Sequence, residues 1–139
     1  MKFKLTPNKC ISSFIIGSQI DDYLNNLTYI HKQGHNSTGW ENYYFYDEGL
    51  EVYVDKETRI IESITCRDNC YLEGTNLIGL SFDKFWDRLE AEVGEWTSEK
   101  FWMSETEQQT AYNIDGMSLQ IWVNSAGLIV SVSLLNFSD

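Results

Sequence analysis

Two stretches of the chain repeat one arrangement of apolar and polar positions. Ile16-Gly17-Ser18-Gln19-Ile20-Asp21-Asp22-Tyr23-Leu24-Asn25-Asn26-Leu27 aligns at a constant offset with Ile78-Gly79-Leu80-Ser81-Phe82-Asp83-Lys84-Phe85-Trp86-Asp87-Arg88-Leu89. Ile, Gly, Asp and Leu are identical at matching places, while Ile20/Phe82, Tyr23/Phe85 and Leu24/Trp86 keep their apolar character. Apolar residues at 20, 23, 24 and 27, and again at 82, 85, 86 and 89, have the i, i+3, i+4, i+7 spacing of a one-sided helix. Ser18 or Ser81 stands as a helix cap, and acids at 21, 22 and 83 occupy the first turn, where the helix dipole favours negative charge. The pattern predicts two short amphipathic helices.

The period then changes from helical to alternating. Leu50-Glu51-Val52-Tyr53-Val54-Asp55 parallels Leu119-Gln120-Ile121-Trp122-Val123-Asn124. After a turn one residue longer in the first copy, Ile60-Ile61-Glu62-Ser63-Ile64-Thr65 parallels Leu128-Ile129-Val130-Ser131-Val132-Ser133. Alternating β-branched runs separated by turn residues are the mark of antiparallel hairpins. A further strand is expected before each hairpin, near 42–46 and 110–114. The chain therefore reads as one α+β domain, 1–139, made by internal duplication, with repeats at about 14–68 and 76–137. Each copy is a short helix followed by a three-stranded antiparallel meander. The two meanders are expected to join in one sheet with both helices on one face.

Alternation assigns the faces. Leu50, Val52 and Val54 point inward with Leu119, Ile121 and Val123, and strand 128–134 is expected to bury Leu128, Val130, Val132 and Leu134. Glu62 stands where the second copy has Val130, so either the register shifts there or a carboxylate lies on an apolar face. The opposite face carries Glu51, Tyr53, Gln120 and Trp122. Large aromatics beside acids on such a face form a docking surface, or else cross-strand pairs that stiffen the sheet.

Composition narrows the class. A chain of 139 residues can bury a core without staples, and 42% hydrophobic content excludes disorder. Met1-Lys2-Phe3-Lys4-Leu5-Thr6-Pro7 has no continuous apolar stretch after its lysines, so the expectation is a cytoplasmic protein without an export signal. Cys10, Cys66 and Cys70 are an odd set without zinc-like spacing, best read as reduced thiols. The net charge of −11 repels nucleic acid and anionic membrane and attracts basic partners.

Nothing in the chain commits to a reaction. There is no phosphate-cradling glycine loop, no nucleophile elbow and no paired-histidine zinc helix. His31 and His35 are separated by Gly34 in a polar loop and have no third ligand close in sequence, so no metal site is expected. Neither catalytic residues nor a cofactor are assigned, and the expectation is a non-enzyme.

The copies differ most between helix and strands. In the first, Tyr29-Ile30-His31-Lys32-Gln33-Gly34-His35-Asn36-Ser37-Thr38-Gly39-Trp40 is polar and reads as a loop. In the second, the longer segment 90–107 holds six glutamates against one lysine, with Trp96, Phe101, Trp102 and Met103 among them. Aromatics inside an acidic frame suit an interface, although they also suit a plug for the end of the core.

The duplicated Ile-Gly-x-x-(Ile/Phe)-Asp starts at 16 and 78, the hairpins opening at 50–54 and 119–123, the small size and the acidity resemble the immunity proteins of bacterial toxin systems. The likeness is to those of contact-dependent growth inhibition and related polymorphic toxins. The tandem plan also resembles a secreted β-lactamase inhibitor and small outer-membrane assembly lipoproteins, both of which carry export signals. The resemblance to immunity proteins implies neutralisation of a cognate toxin, basic and of nuclease type, inside the producing cell. The contact set it implies is Glu95, Trp96, Glu99, Phe101, Trp102, Glu105 and Glu107, with Glu51, Tyr53 and Trp122 as a second patch. The alternative is a cytosolic adaptor module that has no toxin partner and takes a peptide at a sheet edge.

Overall fold

The computed structural model describes residues 1–33, 39–93 and 96–136, with side chains described except at 32–33 and 88–93. A small sheet comes first, from β1 (Leu5–Thr6), β2 (Cys10–Ile11) and β3 (Phe14–Ile15). Helix α1 (Asp21–Leu24) leads into β4 (Tyr29–Gln33), β5 (Trp40–Phe45), β6 (Leu50–Asp55) and β7 (Ile61–Cys66). A two-stranded ribbon, β8 (Tyr71–Leu72) and β9 (Thr75–Asn76), precedes helix α2 (Phe82–Val93). The chain ends with β10 (Thr97–Trp102), β11 (Gln108–Ile114), β12 (Leu119–Val123) and β13 (Ile129–Leu135).

Eight strands form one antiparallel sheet in the order β10-β11-β12-β13-β7-β6-β5-β4. The order reads the same inward from either edge: two four-stranded meanders meet through their last strands. At that seam Val132 pairs with Cys66, Ser133 with Thr65, Leu134 with Ile64 and Leu135 with Ser63. Thr65 and Ser133 face each other across a pseudo-twofold axis, and their buried hydroxyls lie 2.7 Å apart.

This architecture corrects the expected α+β layout with helices on one face: the protein is mostly β. The segments read as loops before each meander contain β4 and β10, so each half has four strands rather than three. The N-terminal residues add a sheet of their own. Helix α1 has only four residues and no side-chain cap. So short a helix gains little from its own hydrogen bonds, and what the pattern secures is the complete burial of Ile20 at its N-cap. The second match forms a twelve-residue helix in which Ser81 Oγ accepts the Lys84 N–H at 3.3 Å.

One face of the sheet forms the core. Phe45, Leu50, Val52, Ile64, Ile114, Leu119, Ile121 and Val132 are buried there. Phe3, with Leu5, Ile11 and Phe14 from the N-terminal sheet, covers it together with Ile20, Leu72, Leu77, and Phe82 and Phe85 of α2. Phe14 lies between Tyr23, at 4.6 Å, and Phe45, at 4.7 Å.

A register shift falls at matching places in the two hairpins. Tyr53 pairs with Ser63 and Val54 with Ile61, leaving Glu62 as the extra residue. Trp122 pairs with Ser131 and Val123 with Ile129, leaving Val130. One extra residue reverses the alternation. Ile61 and Ile129 are therefore buried, whereas Leu128 is exposed and Val130 half-buried, contrary to the simple alternation expected for 128–134. Glu62 sits at a bulge and not on an apolar face.

The Ile-Gly starts pair with the same strands just beyond these bulges. Gly17 N–H donates to Ile61 O at 2.9 Å and Gly79 N–H to Ile129 O at 2.8 Å. In return Ile61 N–H donates to Ser18 O and Ile129 N–H to Leu80 O, both at 2.9 Å. Gly17 and Gly79 hold φ of +83° and +87°, a conformation in which a Cβ is disfavoured. A Cβ at Gly79 would meet no atom within 4 Å, so a substitution there probes the backbone alone. Gly79→Ala is expected to destabilise the fold by about 1–2 kcal/mol, read as a lower urea midpoint with an unchanged m-value.

Candidate functional site

The face of the large sheet opposite the core carries a groove of about 500 Å³. Strand alternation places its lining. Ser63 and Thr65 of β7 and Ser131 and Ser133 of β13 make a small-residue floor at the seam. Tyr53 on β6 and Trp122 on β12 stand on either side, at matching positions of the two halves. Met103 and Gln109 border it from the β10–β11 hairpin.

Each side of the groove rests on a polar network. In the first half Glu51 is only 3% exposed. Its carboxylate accepts from Arg67 Nη1 at 2.6 Å, Tyr44 Oη at 2.7 Å and Asn42 Nδ2 at 3.1 Å. Burial raises the Glu51 pKa, but the hydrogen bonds from Tyr44 and Arg67 overcome that and hold it below the ordinary glutamate value. Burial pushes the Tyr53 phenol up to about 12, reinforced by the Glu51 charge, so it remains a hydrogen-bond donor. In the second half the network is neutral: Gln120 Nε2 donates to Asn113 Oδ1 at 3.0 Å, and Trp122 Nε1 donates to Gln120 Oε1 at 3.1 Å.

The expected contact residues fall into three places. Glu99, Phe101, Trp102, Glu105 and Glu107 lie on β10 and the turn into β11, all exposed, with Trp102 at 69%. That turn is ordered by Ser104 Oγ, which accepts the N–H groups of Thr106 and Glu107, and by the Met103 N–H bond to Glu107 O at 2.8 Å. Trp96 is exposed as well but belongs to an aromatic cluster at α2, edge-on to Trp86 at 5.6 Å and near Tyr112 at 5.3 Å. Glu95 lies outside the described residues. Of the second patch, Tyr53 and Trp122 line the groove, and Phe101 reaches across to Trp122 at 5.2 Å. Glu51 is placed beneath the surface, behind Arg67.

Sequence reasoning missed Arg67, Tyr44 and the facing Thr65–Ser133 pair. Arg67 follows β7 with the parity of Ser63 and Thr65, so strand alternation extended by one residue would have found it. A second ionic cluster lies at the β4 edge on the core side. There Arg59 grips Asp21 at 2.6 and 3.1 Å and approaches Glu41 at 3.4 Å. His31 stacks on Tyr43 and lies 3.3 Å from Glu41, while His35 is outside the described residues. Among the described residues no three His, Cys, Asp or Glu are grouped to hold a metal, and no helix is long and apolar enough to cross a membrane.

Because the folded-state Glu51 pKa is depressed, its stabilising contribution is fully present above the ordinary glutamate value, about 4.3. It is lost as pH falls through the folded value. Between about pH 6 and about pH 3 the parent Tm is therefore expected to fall more steeply than that of Glu51→Gln, measured by thermal melts. At neutral pH, Glu51→Ala is expected to cost about 2 kcal/mol, since it removes the charged acceptor of Tyr44 Oη, Asn42 Nδ2 and Arg67 Nη1.

Compared with known proteins, the chain matches no family model, no curated protein and no solved structure.

Proposed function

We propose that this chain is a non-enzymatic inhibitor of the immunity type, acting inside the producing cell by docking on a basic, nuclease-type toxin. The observation that carries the reading is the β10–β11 hairpin. Its strand β10 is exposed along its whole length: Phe101 and Met103 are on the groove side, Trp102 by alternation is on the other, and Glu99, Glu105 and Glu107 lie within a few residues of them in the chain. Exposed aromatics flanked by acids suit a protein interface: the charges accelerate capture, and aromatics buried on docking slow release. The net charge of −11 extends the attraction to the whole approaching partner.

The edge also selects the manner of docking. Among the described residues β10 pairs only with β11, which leaves its outer backbone groups open. Glu99 and Lys100 at mid-strand guard that edge against an added strand. Side-chain docking of the hairpin therefore suits the chain better than peptide addition at its edge.

The test is capture of a partner from the source cell, followed by affinity measurement with the purified pair. A single basic protein is expected, bound stoichiometrically and more weakly at high salt. Reversing Glu99, Glu105 and Glu107 to lysine should slow association at low salt. Trp102→Ala should speed dissociation by at least about tenfold, the effect of a hot-spot residue. A partner held equally well by both variants would contradict the hairpin assignment, and a partner whose activity survives saturation would contradict inhibition.

A further inference from the structure

The groove on the open face has a composition opposite to that of the chain around it. The protein carries 21 acids and 10 bases, yet among the described residues lining the groove there is one base, Arg67, and no Asp or Glu. Hydroxyls of Ser63, Thr65, Ser131 and Ser133 cover the floor. Tyr53 and Trp122 stand three strand spacings apart, roughly 14 Å. The volume of about 500 Å³ suits a small molecule.

The two halves of the sheet supply an internal control. Glu51 and Arg67 occupy the positions that Gln120 and Leu135 hold in the second half, as the seam and hairpin registers show. The sheet thus accepts a neutral amide and an apolar side chain at this place. In the first half it instead buries a carboxylate and saturates it with Arg67, Tyr44 and Asn42. Burying a carboxylate for an ion pair seldom stabilises a fold better than a neutral alternative, so the effect of the pair lies elsewhere. It fixes a half-exposed guanidinium at the groove, with Nη1 committed to Glu51. The remaining donors of a planar guanidinium match the paired oxygens of a carboxylate or phosphate.

We propose that this groove binds a small organic anion, with its carboxylate or phosphate oxygens on Arg67 and the neighbouring hydroxyls and its apolar body against Trp122, Met103 and Val130. Glu51 is a positioning residue that acts through Arg67. The site adjoins the docking hairpin and shares Met103 with it, but its occupancy does not depend on a toxin partner.

The test is titration of the full chain with phenyl phosphate and with phenylacetate at low ionic strength, followed by NMR at the Trp122 indole N–H. At least one anion is expected to shift that resonance saturably, and uncharged benzyl alcohol is expected to leave it in place. Arg67→Gln should weaken binding at least about tenfold, the loss of one charge-assisted contact. That change strands Glu51, so the double variant E51Q/R67L provides the second arm. It reproduces the pair already present at 120 and 135, and is expected to keep the amide dispersion of the parent while losing anion binding. No saturable shift with either anion, an equal response to benzyl alcohol, or parental affinity in the folded double variant would overturn the proposal.

Discussion

Antiparallel pairing between β7 and β13 turns two four-stranded meanders into one sheet. Without it, each meander would bury a last strand whose outward N–H and C=O groups had no partner, and unpaired backbone groups in an interior are costly. The pairing also fixes the register. Thr65 and Ser133 are buried opposite each other with their hydroxyls 2.7 Å apart. A slip of one residue would turn one of the two strands over, sending either Ile64 and Cys66 or Val132 and Leu134 to the open face and that strand's hydroxyl into the core. Apolar burial on one side and one hydroxyl pair on the other thus select the same alignment.

From that seam the two faces diverge in character. The core face is nearly symmetric, because Leu50, Val52 and Val54 match Leu119, Ile121 and Val123 in burial. Packing tolerates little else there, since interiors are filled to crystal-like density. The open face is free of that constraint, and its side chains differ between the halves. Glu51 with Arg67 stands against Gln120 with Leu135, and Tyr53 against Trp122. A symmetric scaffold has been given an asymmetric surface, and both proposed recognition surfaces lie where the halves differ.

The sequence made the repeated hairpins legible because each strand buries one face against a core, and burial writes a period of two. It was silent where that pressure is absent. β10 is exposed at every position and β4 lies at the opposite edge, so neither carries the alternation that marks a buried strand. The tiny strands of the N-terminal sheet are two residues each, too short for a period to show. Helix α1 misled for the opposite reason: its apolar spacing is real, but one turn suffices to seat Ile20. Of the candidate site, the exposed hairpin residues stood out by composition. The groove did not, because Glu51 and Arg67 lie sixteen residues apart and meet only through the β6–β7 register.

Charge explains how an acid-rich hairpin and an acid-free groove coexist on one chain. At physiological ionic strength potentials decay over roughly 8 Å, so a bound group responds mainly to its first neighbours and only an approaching partner feels the total. The carboxylates at 99, 105 and 107 are exposed on the hairpin, where in the proposed function they would act on a partner still in solution. Glu51, the acid nearest the groove network, is buried and neutralised by Arg67 at 2.6 Å. What the groove presents is therefore the guanidinium and the hydroxyl dipoles rather than the carboxylate behind them. Met103 borders the groove and also stands beside Trp102 on the hairpin, so the two surfaces adjoin without sharing a charge. The long-range field and the local chemistry differ in sign because the described acids lie elsewhere on the surface or are buried, as Glu51 is behind Arg67, and none lines the groove.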